Sequence, residues 1–203
     1  MSTNLTHHDH KLYRKERTRL KAHQPAALWF TGLSASGKST IANEVEWRLA
    51  QDYNCHTYLL DGDNVRRGLN HNLGFSDADR HENIRRFGEV AWLFVDAGLI
   101  VMAALISPFR SDRAMVRERF AQGEFFEIYV ACSIDVCAER DPKGLYEKAR
   151  RGEVPEFTGI SSPYEPPEAP DLVLHSDQHS AEECALQVLS FLEEKGIISR
   201  KNP

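Results

Sequence analysis

The chain has 203 residues, 41% of them hydrophobic and 27% charged, with a formal net charge of −5 at pH 7. That size and balance fit a single soluble globular domain with a substantial core, and the acidic excess argues against a general nucleic-acid or membrane-surface binder while leaving room for a local basic pocket. No run approaches the ~18 apolar residues of a membrane span, and the N-terminal stretch is polar. Cys55, Cys132, Cys137 and Cys184 are scattered, with neither C-x-x-C nor metal-ligand spacing. They are expected to be buried or free thiols in a reducing compartment, with cytoplasm as the default location.

Residues 1–25 form a distinct segment holding His7, His8, His10 and His23, and a basic run of Lys11, Arg14, Lys15, Arg17, Arg19 and Lys21 around the acid Glu16. A metal site is one reading of the histidines. No helical or hairpin spacing organises them, so a solvated tail is the expectation. The basic run could form a short helix over a neighbouring surface.

Ala27–Phe30 then reads as a buried strand, and the loop after it fits G-x-x-x-x-G-K-[ST], with Gly32, Gly37, Lys38 and Ser39 filling the fixed positions. Small residues let successive backbone N–H groups turn inward as an anion nest, and the next helix adds its positive N-terminal end. Residues Gly32, Leu33, Ser34, Ala35, Ser36, Gly37 and Thr40 would wrap the phosphates of ATP. Lys38 would reach the β/γ-phosphates, and the Ser39 hydroxyl would ligate Mg²⁺.

Ile41, Val45 and Leu49 give residues 38–51 one apolar helical face. Cys55–Leu60 reads as a second strand, ending in a turn at Asp61-Gly62-Asp63-Asn64. Acids there stand at the crevice where open α/β sheets bind ligands. From Val65 to Asn83 the chain is rich in polar hooks (Arg66, Arg67, His71, Asn72, Arg80, His81, Asn83) with Phe75 among them. Ser76 or Asp77 caps a helix whose apolar face is Ile84, Phe87, Ala91, Phe94 and Val95, closed by Gly98. Arg80 and Asn83 share a face of its first turns. Guanidinium groups bind oxyanions bidentately, so this cluster suits a second substrate bearing phosphate or sulfate.

Leu99–Ile106 is a buried strand that stops at Ser107-Pro108. A short helix over 111–120, a strand over Phe125–Cys132, a helix Ile134–Arg140 capped by Ser133 and a helix over Gly144–Arg151 follow. Gly152–Pro170 holds five prolines with Phe157 and Tyr164. It is too polar for core and long for a connection, which suggests a lid or substrate loop; a passive linker is the alternative. Leu172–Leu174 is a last strand and Ser180–Lys195 a closing helix ended by Gly196. The alternation predicts an α/β fold, a P-loop NTPase-type three-layer sandwich with a mostly parallel sheet and helices on both faces. Its ligand edge would collect Gly32–Ser39, Asp61–Asn64 and Ser107. One kinase domain over 26–203, with a lid near 141–170, is the expected organisation.

Several of these stretches together resemble the adenylylsulfate kinase (APS kinase) family. They are Trp29–Thr40 for the phosphate loop, Leu60–Arg66 after the second strand, Gly74–Arg80 with Glu82–Arg86 on the substrate helix, Ile106–Arg110, Arg140–Tyr146 and Phe157–Ile160. The resemblance implies transfer of the ATP γ-phosphoryl to the ribose 3′-hydroxyl of adenosine 5′-phosphosulfate (APS), giving PAPS and ADP in sulfate assimilation. It also implies Mg²⁺ and a homodimer. Carried over position by position, Asp63, Arg66, Phe75, Arg80, Asn83, Ile106, Ser107, Lys143 and Phe157 would hold the sulfonucleotide, and Arg140 would lie beside the adenine of ATP. Lys38, Asp63 and Ser107 are the catalytic candidates. Ser107 matches a serine described in the family as a phosphorylated intermediate, but no neighbouring base is evident, which favours direct transfer. Phe75 and Phe157 suggest platforms flanking an adenine, local packing being the alternative.

The chain departs from the family pattern at Ala35, where glycine is common, at Val154-Pro155-Glu156 and at Ser161. Two other readings stay open: a P-loop kinase for a sugar or other alcohol, and a nonenzymatic nucleotide switch, against which stands the lack of an N-K-x-D motif.

Overall fold

The computed structural model describes residues 8, 11–21 and 23–200, so His7 and His10 lie outside the described residues. Five strands form one sheet: β1 (Ala26–Thr31), β2 (Thr57–Asp61), β3 (Ile100–Ala104), β4 (Phe125–Ala131) and β5 (Leu172–His175). Their order is β2-β3-β1-β4-β5 and each neighbouring pair is parallel. The central strand β1 is buried at all six positions.

Side chains alternate across a strand, so β1 feeds two cores. Ala26, Leu28 and Phe30 face α2 (Lys38–Gln51) and α8 (Ala181–Glu194). Ala27 and Trp29 face α4 (Asp77–Asp96) and α5 (Arg110–Arg117), where Trp29 meets Phe87 edge-on at 6.4 Å. This is the expected three-layer sandwich. Parallel strands joined by crossovers all end at the same edge, and the phosphate loop, Asp61 and Ser107 meet there.

Helix starts fall where the sequence places them. The hydroxyl of Ser76 accepts from Asp79 N–H, that of Ser133 from Val136 N–H, and that of Ser180 from Glu183 N–H. The helix opened by Ser133 is α6 (Ile134–Arg140), and α7 (Leu145–Arg150) follows it. No helix among the described residues is long and apolar enough to cross a membrane. The four cysteines are free thiols, and Cys55, Cys137 and Cys184 are buried.

Three local expectations are corrected. The Asp61–Asn64 segment is not a turn but the start of a short helix, α3 (Gly62–Arg66); the Asp61 carboxylate accepts from the N–H groups of Asp63 and Asn64 and so caps it. The described part of residues 11–25 is not a solvated tail, and the basic run takes the other reading, a short helix over a neighbouring surface. The run Arg14–Arg19 forms α1, in which Arg14 pairs with Glu124 and Arg17 with Asp96, and the Arg14 guanidinium lies over the Trp92 ring. His23 is buried and accepts a hydrogen bond from His56 N–H at 3.0 Å; burial pushes its pKa below the ordinary histidine value, so the ring stays neutral. Among the described residues no group of three or more His, Cys, Asp or Glu could hold a metal ion. Finally, the 152–170 loop carries part of its chain inside the fold: Phe157 and Thr158 are buried.

The third strand leaves its ladder after Ala104, and a buried guanidinium holds the segment that follows. Arg113, 2% exposed, donates through Nε to Glu127 at 2.6 Å, through Nη1 to the Ser107 carbonyl at 2.6 Å and through Nη2 to the Glu165 carbonyl at 2.7 Å. It ties β4, the end of β3 and the proline-rich loop together. Removing one partner of a buried ion pair strands the other charge. Arg113→Met is therefore expected to lower unfolding stability by about 3–5 kcal/mol in urea titrations.

Candidate active site

A cleft of about 1070 Å³ opens at the C-terminal edge of the sheet. Of the residues that the sequence assigns to ATP, to the sulfonucleotide and to catalysis, all but Gly32, Leu33 and Ser36 line it. Those three shape the loop from behind. A Cβ on Gly32 would stand 2.6 Å from the Val130 carbonyl oxygen, so only glycine lets the loop approach β4 so closely. The carbonyl of Ser36 accepts from Ser176 Oγ at 2.8 Å, which anchors the loop to the end of β5. Gly37, at φ 93°, turns the chain into α2.

Ala35 adopts φ 58°. The position where the sequence departs from a common glycine thus does lie in the left-handed region, and the alanine accepts it at a modest cost. Tyr146 O–H donates to the Ser34 carbonyl at 2.9 Å and braces the loop from α7.

Lys38 is buried, and its ammonium donates to the Leu33 carbonyl. Burial lowers its pKa to about 8, against the opposing pull of Cys137, Asp61 and Asp63. Ser39 Oγ donates to Asp61 Oδ2 at 2.6 Å. The sequence puts Asp61 at the ligand edge with the rest of the Asp61–Asn64 run but assigns it no contact; the bond to Ser39 comes from the structure. Hydroxyl and carboxylate oxygens at the mouth of a phosphate loop form the donor set that a small hard cation takes.

Opposite the loop stand two arginines. Arg66 donates to the carbonyls of Leu73 and Gly74 at 3.2 and 2.9 Å and lies 4.5 Å over the Phe75 ring. Arg80, buried at the start of α4, donates to the carbonyls of Phe75 and Glu156 and to Thr158 Oγ1 at 2.8 Å. Burial lowers both guanidinium pKa values, and Arg80 adds to the effect on Arg66. Neither meets a carboxylate. Asn83 Oδ1 accepts from Asn70 at 3.0 Å, which leaves the Asn83 amide donor for the cleft.

The two aromatics differ. Phe75 is 61% exposed, whereas Phe157 is buried and packs edge-on to Tyr146 at 5.0 Å. Ser107, at φ 41° and buried, receives a hydrogen bond on Oγ from Trp29 Nε1–H at 3.1 Å. Arg140 donates to the Ser176 carbonyl at 2.7 Å, and Ser176 Oγ in turn donates to the Ser36 carbonyl of the phosphate loop. At the mouth, the ammonium of Lys143 pairs with the carboxylate of Asp63, both largely exposed. Of the departures in the lid, Ser161 Oγ accepts from Phe157 N–H at 2.9 Å, and Glu156 takes φ 53° with its carbonyl on Arg80. Both are built into the loop. Thr158 and Arg113, which sequence reasoning passed over, hold Arg80 and Ser107 in place.

The adenylylsulphate kinase family model matches residues 24–175, which hold the phosphate loop, Asp61, Asp63, both arginines, Ser107 and the lid residues. The chain belongs to the adenylylsulphate kinase family. Among curated adenylyl-sulfate kinases it is 55% identical to that of Acaryochloris marina over 97% of this chain and 96% of the other, and 55% identical to that of Vibrio cholerae over 97% and 91%. Among solved structures it resembles the Mycobacterium tuberculosis APS kinase CysC in complex with AMPPNP and APS, with a TM-score of 0.80 at 48% identity over 84% of this chain and 99% of the other. A gluconokinase from Sinorhizobium meliloti, at 18% identity and a TM-score of 0.57, shares the fold alone.

The Lys38 environment sets a pH dependence that the adenylylsulphate kinase reading of the loop makes measurable. The ammonium is the form that attracts phosphate, and its folded pKa of about 8 lies below that of an ordinary lysine. Below pH 8 the group is charged and nucleotide affinity is full. Above pH 8 each pH unit is expected to raise the ATP dissociation constant by up to about tenfold, until the pKa of the bound state is reached. Calorimetric titrations from pH 7 to 9.5 check this, and in Lys38→Ala the dependence should vanish.

Proposed function

We propose that the protein transfers the γ-phosphoryl group of ATP to the 3′-hydroxyl of APS, releasing ADP and PAPS. The carrying observation is one cleft with a complete phosphate loop at one end and, facing it, two half- to fully buried arginines with no carboxylate partner. A ligand that places one set of anionic groups on the loop and another on Arg66 and Arg80 fits it. The M. tuberculosis relative, solved with AMPPNP and APS together, supports this assignment.

In this reading the N–H groups of Ser34 to Thr40 and the ammonium of Lys38 hold the ATP phosphates. Arg140 lies beside the ATP adenine. Arg66 and Arg80 take the phosphosulfate, Asn83, Ile106 and Lys143 complete the sulfonucleotide contacts, and Phe75 and Phe157 flank its adenine. Ser39, with Asp61 beside it, would hold Mg²⁺, which when bound neutralises charge on the transferring group. Asp63 is already paired to an ammonium, so it orients the 3′-hydroxyl better than it removes its proton; a loose phosphoryl-transfer transition state needs little base assistance. The chemistry then rests on positioning and on positive charge that Lys38 contributes in a site shielded from water. The rest of the reading is one kinase domain over 26–203 with a lid near 141–170, a homodimer and a cytoplasmic location. It follows the resemblance in the lid and the assembly.

Coupled ADP-release assays are expected to show turnover with APS and none above background with gluconate or other sugar alcohols, and chelation of divalent cations should abolish it. Lys38→Ala is expected to lower kcat by about 100-fold or more. Turnover on a sugar but not on APS would overturn the assignment.

Because Phe75 is exposed, it separates binding from folding. Phe75→Ala is expected to weaken APS binding by about 1–3 kcal/mol, the range for aromatic stacking on a base, with an unchanged melting temperature. Phe157→Ala should lose both affinity and stability. An unchanged APS dissociation constant in Phe75→Ala would remove that ring from the site.

A further inference from the structure

We infer that Trp29 is a positioning residue that fixes the Ser107 hydroxyl as a hydrogen-bond donor aimed into the cleft, so that Ser107 binds an anionic or ribose oxygen of the substrates and does not act as a nucleophile. The inference rests on the APS kinase reading of the cleft and deepens it.

An indole N–H has one proton and no acceptor capacity. At 3.1 Å it can only donate to Ser107 Oγ, so the serine is the acceptor in that bond. The hydroxyl proton must then point elsewhere, and among the described residues no acceptor takes it, although Ser107 lines the cleft. The backbone leaves it little choice of direction. Ser107 sits at φ 41°, its carbonyl is held by Arg113, and the preceding Ile106 carbonyl accepts from Thr31 Oγ1 at 2.7 Å. Trp29 itself is immobile, with no exposed surface and with Phe87 and Phe125 against its ring at 6.4 and 5.9 Å. A donor held this way suits a negatively charged ligand.

The surroundings of Oγ also lack what nucleophilic attack needs. A serine nucleophile needs a free lone pair and a base for its proton. Here the indole N–H occupies one of the two Oγ lone pairs, and no histidine, carboxylate or amine bonds to Oγ among the described residues to take its proton. The pattern recurs beside it: Asn70 fills the Asn83 oxygen from behind and leaves the amide donor facing the cleft.

The test is a double-mutant cycle on kcat/KM for APS with the purified full chain and saturating ATP, using Trp29→Phe, Ser107→Ala and the double variant. Each single variant is expected to lose about tenfold, the scale of one hydrogen bond to a charged group, and the double variant to lose no more than either single. Independent effects that multiply in the double variant would overturn the inference. If Trp29→Phe fails to fold, the wild-type indole N–H resonances decide. The Trp29 signal should shift when APS binds and move in Ser107→Ala without ligand, and a signal unmoved by both overturns it. A phosphoserine formed stoichiometrically and discharged at the catalytic rate in rapid-quench experiments would also overturn it. A wild-type chain inactive on APS would sink the activity assignment itself, whereas an active chain with multiplying variants sinks only the role given to Trp29.

Discussion

Positive charge in the cleft is balanced by neutral oxygens, and the site depends on that. Lys38 rests on the Leu33 carbonyl, Arg66 on the carbonyls of Leu73 and Gly74, and Arg80 on two carbonyls and the Thr158 hydroxyl. Many arginines elsewhere meet carboxylates: Arg14 with Glu124, Arg48 with Glu44, Arg85 with Glu82, Arg113 with Glu127. A buried cation held only by dipoles is solvated enough to persist and remains hungry for an anion. The exception is Lys143 with Asp63, and that pair is at the exposed mouth, where screening makes it easy to open.

This sorting of charge works because the scaffold does not yield. The central strand β1 is buried on both faces and carries Trp29 into one core and the phosphate loop to the sheet edge. The strained backbone at Ala35 and Ser107 is held by bonds from distant parts of the chain, from Tyr146 through the neighbouring Ser34 carbonyl and from Arg113 and Trp29. Left-handed residues that are not glycine persist where the surroundings over-determine them. The loops that meet the ligands therefore enter the reaction already shaped, which suits a chemistry governed by positioning.

What the sequence made legible is what short range encodes. The phosphate loop, the caps at Ser76 and Ser133, the apolar strand runs and the 3.6-residue helical pattern all leave local signatures, and the elements they predict are present within a few residues. The contacts that escaped are those between residues far apart in the chain. Trp29 and Ser107 are 78 residues apart, and so are Arg80 and Thr158. No spacing rule links them. Arg113 read as one more charge on a short polar helix, although it is among the most buried side chains. His23 looked like part of a polar tail because burial of a neutral imidazole has no one-residue signal. Asp61 was placed at the ligand edge with Asp63 but given no role of its own, since a run of Asp, Gly and Asn also describes an ordinary turn. The order of the strands likewise came only from the structure.

The docking of α1 has a consequence for how the protein can be connected to others. Arg14 and Arg17 bind Asp96 and Glu124, which precede β3 and β4, and His23 meets His56, which precedes β2. All three contacts lie at the N-terminal edge of a parallel sheet whose C-terminal edge holds the cleft. Strands of five to seven residues separate the two edges by roughly 15–20 Å. A domain, tag or surface tether joined directly to α1 would therefore be attached at the edge of the sheet opposite the cleft. The ion pairs of α1 would take up a pull on that tether before it reached the phosphate loop.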